Sequence, residues 1–202
     1  MQYLKDEIKE NIVSAALQEF KEKGYYGASM RSIAHSAGIT SGNIYRYFIS
    51  KEALFDYILD PVYQKVMKIG TQFEEGVVKS NINYHNFDSM ELIRELYNDI
   101  LEAFAQYGTE FLILLDKSEG TKYSGIKENE KALIYKILRD VFLPELAKQG
   151  KNIQDEFILH VIACALVDGI GDILNNCTDG AQVRGLVESF VKVMLHNIYQ
   201  RI

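Results

Sequence analysis

An apolar period of about 3.6 residues runs along nearly the whole chain, and only Pro61 and Pro144 punctuate its 202 residues. Each proline inside a helix costs roughly 3 kcal/mol, so a chain with so few has room for long helices. Strand-like alternation of any length is absent, and only the short run from Phe111 to Leu115 reads either way. The expected class is all-α. Leu4, Ile8, Ile12, Ala15, Ala16 and Phe20 form one apolar stripe on a first helix, and Gly24 suits a left-handed helix exit. Ser29 is placed to cap a second helix running to about Ala37. Gly38-Ile39 makes a tight turn, and Thr40 caps a third helix from Ser41 to about Phe48. Ser50 caps a fourth helix starting at Lys51. Asp60-Pro61 either opens a new helix or kinks a long one. Further helices are expected at about 62–78, 89–106, 109–117, 126–142, 153–176 and 180–200, with loops at 79–88, 118–125 and 149–152.

Charge is distributed unevenly. The whole chain carries −6, which looks wrong for a nucleic-acid binder, but residues 1–51 carry +2 and residues 52–202 carry −8. From Gly24 to Lys51 there is no Asp or Glu, whereas Arg31, Arg46 and Lys51 are present. A surface that approaches phosphates needs such a stretch, because each carboxylate there would repel the backbone. Cys164 and Cys177 lack the spacing of a zinc site and read as buried thiols of a reducing cytoplasm. No run of about 18 uncharged apolar residues occurs, so no membrane span is expected. The charged segment Met1 to Glu10 does not read as a signal peptide.

The stretch from Ser29 to Phe48 has the pattern of two short helices crossing steeply. Ala34 is the small residue needed at the crossing, and Gly38 tolerates the turn. Ile33, Ala37, Ile39, Ile44 and Phe48 would lock the pair together. At about 100° per residue, Ile44 and Phe48 point inward and Gly42, Asn43 and Arg46 point away, toward a major groove. Tyr45 and Tyr47 lie on the flanks within reach of phosphate oxygens, and Lys51 adds a phosphate contact.

Ala34, Gly38, the string Thr40-Ser41-Gly42-Asn43-Ile44-Tyr45-Arg46-Tyr47-Phe48 and the following Ser50-Lys51-Glu52-Ala53-Leu54 closely resemble the TetR-family signature. Ala16, Phe20, Gly24 and Tyr25 resemble its first helix and exit, so the resemblance covers residues 8–58. It implies an N-terminal three-helix helix-turn-helix domain, residues 1–50, followed by a helical ligand-binding and dimerisation domain, residues 51–202. It implies that Ser29 and Arg31 contact phosphates and a base edge. Ser41, Gly42 and Asn43 would face bases or nearby phosphates, while Tyr45, Tyr47 and Lys51 grip the backbone. Two positions depart from the pattern: Met30 replaces a small or hydroxylated residue, and Arg46 sits at a variable position, where it binds phosphate or reads guanine. The implied partners are a double-stranded DNA operator, a second copy of the chain and a small-molecule effector, with no membrane and no cofactor.

Dimerisation is expected through the last two helices. Val183, Leu186, Val187, Phe190, Val193, Met194 and Ile198 form a wide stripe, and the helix from Phe157 to Leu174 is apolar nearly all round. Gly169 and Gly171 would permit close helix approach. Candidates for the ligand pocket are Arg94, Tyr97, Phe104, Tyr107, Phe111, Tyr123, His160 and Asp168, with Cys164 beside them. A lone histidine such as His160 reads first as a hydrogen-bonded core residue. Asp168 and Asp172 stand at i and i+4 and read as a solvated or capped pair before a cation site. No nucleophile elbow, phosphate loop or metalloprotease motif occurs, and no enzymatic activity is expected. The function expected is a sequence-specific regulator, a ligand-responsive repressor on a palindromic operator; an effector-independent regulator and an adaptor without DNA activity are the alternatives.

Overall fold

The structure, a computed structural model, describes residues 2–82, 89–148, 150, 153, 155–177 and 179–201. Its helices are α1 (Gln2–Gly27), α2 (Met30–Ser36), α3 (Ser41–Ile44), α4 (Lys51–Ile82), α5 (Ser89–Tyr107), α6 (Thr109–Asp116), α7 (Ile126–Ile137), α8 (Leu143–Lys148), α9 (Phe157–Asn176) and α10 (Gly180–Arg201). Among the described residues there is no strand, and Phe111–Leu115 is helical.

The chain divides into two compact units. One comprises Met1–Lys65 and Tyr107–Ile126, the other Val66–Gln106 and Lys127–Ile202. In the first unit Ile12, Ala16 and Phe20 of α1 are fully buried, as the stripe predicted, while the side chain of Leu4 lies outside the described residues. Phe20 meets Phe55 of α4 edge to face at 4.7 Å, and Phe55 continues to Tyr123 at 5.9 Å. Packing α6 against α1 closes this core with Phe111, Ile113 and Leu114. Gly24 breaks α1 at φ 66 and ψ 177. The sequence suggested an ordinary left-handed exit; the actual ψ is extended, a combination essentially restricted to glycine.

Helix α4 is longer than expected. It absorbs both the fourth helix and the stretch 62–78, and it passes through Pro61 without a break. Proline removes one hydrogen bond and crowds the carbonyl four residues before. Pro61 is exposed, so that carbonyl can turn to water instead. The first four residues of the loop expected at 79–88 belong to α4, and 83–88 lie outside the described residues.

In the second unit α9 packs on α10, burying Leu159, Ile162, Ala163, Leu166 and Leu174 against Val183, Val187, Val191 and Leu195. Gly169 permits the close approach anticipated for it, since a Cβ there would come within 2.4 Å of the Phe190 ring. The side chain of Ile198 lies outside the described residues. By length and composition α9 could cross a membrane, although it holds no uncharged apolar run of that length. Its aspartates interrupt the run, and Asp168 is held by Lys127 and Lys131 at 3.2 Å each. The helix expected at 126–142 is not uniform: α7 ends at Ile137 and a π turn spans Leu138–Phe142. Pro144 accounts for the widening, because its ring and missing N–H preclude an ordinary bond to Asp140.

Candidate nucleic-acid interface

Local chemistry builds the α2–α3 pair as the sequence requires. The Ser29 hydroxyl accepts from Ser32 N–H at 3.1 Å and caps α2. The Thr40 hydroxyl accepts from Asn43 N–H at 3.3 Å and caps α3. Between them Gly38 takes φ 73. Gly38 N–H donates to His35 O at 3.1 Å and Ile39 N–H to Ala34 O at 3.0 Å, the two bonds of a Schellman exit. Ile33, Ala34, Ile44 and Phe48 are buried beneath this frame. Helix α3 is shorter than expected, ending at Ile44; tighter bonds from Arg46 to Asn43 and Tyr47 to Ile44 carry the chain onward to Phe48.

The outer surface is an open groove of about 540 Å³ lined by Ser29, Arg31, Ser32, His35, Ile39, Thr40 and Ser41. It unites Ser29, Arg31 and Ser41 from the expected set. Gly42 and Arg46 are exposed, Tyr45 is 51% exposed, and Asn43 and Tyr47 are half-buried. No carboxylate lines the groove. Both cap oxygens accept, which leaves the O–H groups of Ser29 and Thr40 able to donate. The first-turn N–H groups have no acceptor within their own helix. Hydroxyl donors, amide donors and Arg31 around an acid-free groove are the chemistry that suits phosphate oxygens. Sequence reasoning missed Ser32, His35 and Thr40 as lining residues, although the polar face of α2 opposite Met30, Ile33 and Ala34 carries the signal for the first two.

Lys51 occupies a different environment. Its ammonium donates to the carbonyls of Tyr25 at 2.6 Å, Ala28 at 2.9 Å and Tyr26 at 3.5 Å, and lies 4.4 Å from the centre of the Tyr25 ring. Burial pushes its pKa down from the ordinary lysine value. A phosphate contact would have to displace one of these carbonyls.

Glu19 was also missed. Its carboxylate is buried and accepts from Lys23 at 2.9 Å, Ser32 Oγ at 2.9 Å and Ser29 N–H at 3.3 Å, joining α1 to the start of α2. Burial raises its pKa, but the bonds from Lys23, Ser32 and Ser29 outweigh that and hold it below 4.5. Glu19 therefore stabilises the fold above that value and loses its contribution as the pH falls through its lower folded pKa. Glu19→Gln is expected to cost about 1–2 kcal/mol at pH 7, with the deficit shrinking in acid below pH 4.5. Urea unfolding of both proteins across pH 7 to 3 checks this; a deficit that grows in acid contradicts it.

The candidate pocket residues divide between the two units. Tyr107, Phe111 and Tyr123 belong to the first unit, and Arg94, Tyr97, Phe104, His160 and Asp168 to the second. Phe111 and Tyr123 are buried, and the Tyr123 hydroxyl donates to Asp60 at 2.8 Å. Lys122 bridges Asp56 and Asp60 at 3.1 and 3.0 Å, completing that network. His160 is an exposed residue instead of a core one, with its Nε2 at 3.6 Å from Cys164 Sγ and its ring against Tyr135 and Phe157. Cys164 and Cys177 are free thiols, each half-buried instead of sealed in the core. Among the described residues no group of three or more His, Cys, Asp or Glu could hold a metal.

Comparison with known proteins gives a consistent result. The family described as bacterial regulatory proteins, tetR family, matches residues 12–58. The transcriptional regulator UidR of Escherichia coli is 41% identical over 123 residues, which cover 61% of this chain and 58% of UidR. Among solved structures, the TetR-family member SCO3833 from Streptomyces coelicolor has a TM-score of 0.65 at 19% identity, covering 91% of this chain and 89% of that one. FadR of Thermus thermophilus, a TetR-family repressor solved with lauroyl-CoA, has a TM-score of 0.51 at 22% identity, covering 93% of each chain. The capped α2–α3 pair thus lies within a segment, residues 12–58, that matches the TetR family of bacterial regulatory proteins, and the all-helical chain shares the fold of a solved member of that family.

Proposed function

We propose that the protein is a ligand-responsive transcriptional repressor that binds a palindromic operator as a homodimer, acting by binding and without catalysis. Residues 1–50 read the DNA, and residues 51–202 bind the effector and dimerise. The observation that carries this reading is the acid-free groove of Ser29, Arg31 and Ser41, with Tyr45 and Arg46 exposed beyond it. One such unit reads too few base pairs for high specificity, whereas two-fold dimers read paired half-sites about 34 Å apart. Phe157, Ile158 and Val161 on α9 and Leu186 and Val193 on α10 are exposed apolar residues that suit the second copy. Light scattering is expected to report a dimer at micromolar concentration; a stable monomer counts against it. The lauroyl-CoA complex of FadR supports a ligand response in a protein of this fold. A cytoplasmic location, away from membranes, follows from the DNA partner.

Selection of a random double-stranded DNA library on the purified protein tests the reading. Enrichment of a palindrome supports it, and no enrichment at low salt from protein refolded free of bound ligand overturns it. Within the enriched site, Arg46→Ala is expected to weaken all sequences alike and to lower the salt slope by about 0.9 for each phosphate released. Asn43→Ala is expected to relax preference at about one base position per half-site with a cost of about 1–3 kcal/mol there. Identical, uniform effects of both variants would contradict this division of roles.

A further inference from the structure

His35 stands four residues after Arg31 on α2, so the two side chains share one face. Both are exposed, and both line the groove of about 540 Å³ to which α3 and its cap contribute Ser41 and Thr40. Neither ring nitrogen of His35 has a partner among the described residues. His160 differs: its Nε2 lies 3.6 Å from Cys164 Sγ, and Tyr135 and Phe157 flank its ring.

The charges around His35 give it no counter-ion within the groove. Arg31, on its own helix, is a like charge to a protonated ring. Helix α1 packs against α2, and its Glu19 reaches α2 at Ser32. That carboxylate is already engaged by Lys23 and Ser32 at 2.9 Å each. Helix α3, the other neighbour of α2, carries no titratable side chain, and Tyr45, Arg46 and Tyr47 after it add no carboxylate. No carboxylate lines the groove itself. A protonated imidazole here therefore takes its counter-charge from outside the protein, where Arg31 and the groove hydroxyls already suit a phosphate.

We propose that His35 is a proton-dependent phosphate contact: as the groove meets the DNA backbone the imidazole takes up a proton, and binding tightens as the pH falls from about 8 to about 6. This deepens the DNA-reading proposal and rests on it. Histidine is the side chain whose charge ordinarily changes in that range. A neutral ring offers phosphate one N–H donor, whereas a protonated ring offers two and a full charge. A phosphate beside the ring favours the charged form, so the protein gains protons as it gains DNA. By linkage, a proton taken up on binding makes lower pH favour the complex.

Fluorescence anisotropy of the full chain at constant ionic strength tests this, with the palindromic duplex enriched from the random library and an unselected duplex as probes. One unit of pKa displacement corresponds to a factor of about ten. From pH 8 to pH 6 the affinity of the unsubstituted protein is expected to rise about threefold or more beyond the rise in His35→Gln. At pH 6 its salt slope is expected to exceed that of the variant by up to about 0.9 per copy, a difference that shrinks at pH 8. His35→Arg, charged throughout, is expected to bind more tightly than the unsubstituted protein at pH 8 and to lose this part of the pH dependence. His85, His160 and His196 are common to all three proteins and cancel in the comparison. His35 is exposed, and matching melting temperatures verify the folds of the variants. Equal pH dependence in the unsubstituted protein and His35→Gln overturns the proposal and leaves the DNA reading standing. Absence of binding to either duplex at every pH overturns the DNA reading, and this proposal with it.

Discussion

Lys51→Ala is expected to lower the unfolding free energy by about 2–3 kcal/mol, the scale of hydrogen bonds from a charged donor. In a chain of this size each kcal/mol moves the melting temperature by about 2–4 °C, so a fall of several degrees is expected. The ammonium gathers carbonyls of Tyr25, Tyr26 and Ala28, around the irregular exit of α1. Helix ends leave carbonyls without partners and carry partial negative charge, and a cation satisfies both deficits at once. Lys51 opens α4, so the contact also ties the start of α4 to the end of α1. A phosphate contact predicts a different pattern: little change in melting and a salt slope lower by about 0.9 per phosphate. Thermal unfolding, together with the salt dependence of operator binding at a temperature where the variant is folded, separates the two roles. An unchanged melting temperature with a reduced slope would return Lys51 to the DNA surface.

The reading frame was legible because its determinants are local. Ser29 and Thr40 cap helices whose N–H groups lie three residues away, and Gly38 closes a turn through bonds to residues three and five positions back. Such rules operate within a few residues and survive in sequence. Lys51 and Glu19 could not be read in the same way. Their partners are separated by as many as 26 residues for Lys51 and 13 for Glu19, and only the assembled helices bring them together. The same holds for Tyr123, whose bond to Asp60 joins residues 63 apart. Aromatic side chains suggest both cores and pockets in a sequence, and here Phe20, Phe55 and Tyr123 pack ring against ring. Pro61 was ambiguous because its effect depends on exposure: the bond lost inside a helix is tolerable where water can replace it. Glu130 is a mixed case. A glutamate four residues after one apolar stripe position and three before another is visible without coordinates, but its lack of a partner is not.

Glu130→Gln is expected to stabilise the protein by about 3 kcal/mol at pH 8, from the 1.36 kcal/mol that accompanies each unit of pKa displacement. The folded carboxyl ionises only near 7, against an ordinary value of 4.5. Between these values the unfolded chain gives up a proton that the folded chain retains, so the group's contribution to stability becomes steadily less favourable as pH rises. Above the folded value the full penalty is present, and below the ordinary value it vanishes. Glutamine carries no charge to desolvate and escapes the penalty throughout. The advantage of the variant should therefore be small at pH 4, grow between pH 4.5 and about 7, and level off above. Carboxylates such as Glu19, Asp60 and Asp168, whose pKa values are lowered, act in the opposite direction but equally in both proteins. The difference between urea-unfolding curves of the two proteins isolates Glu130. Equal stability at pH 8 would mean that the carboxylate is already compensated, by water or a partner.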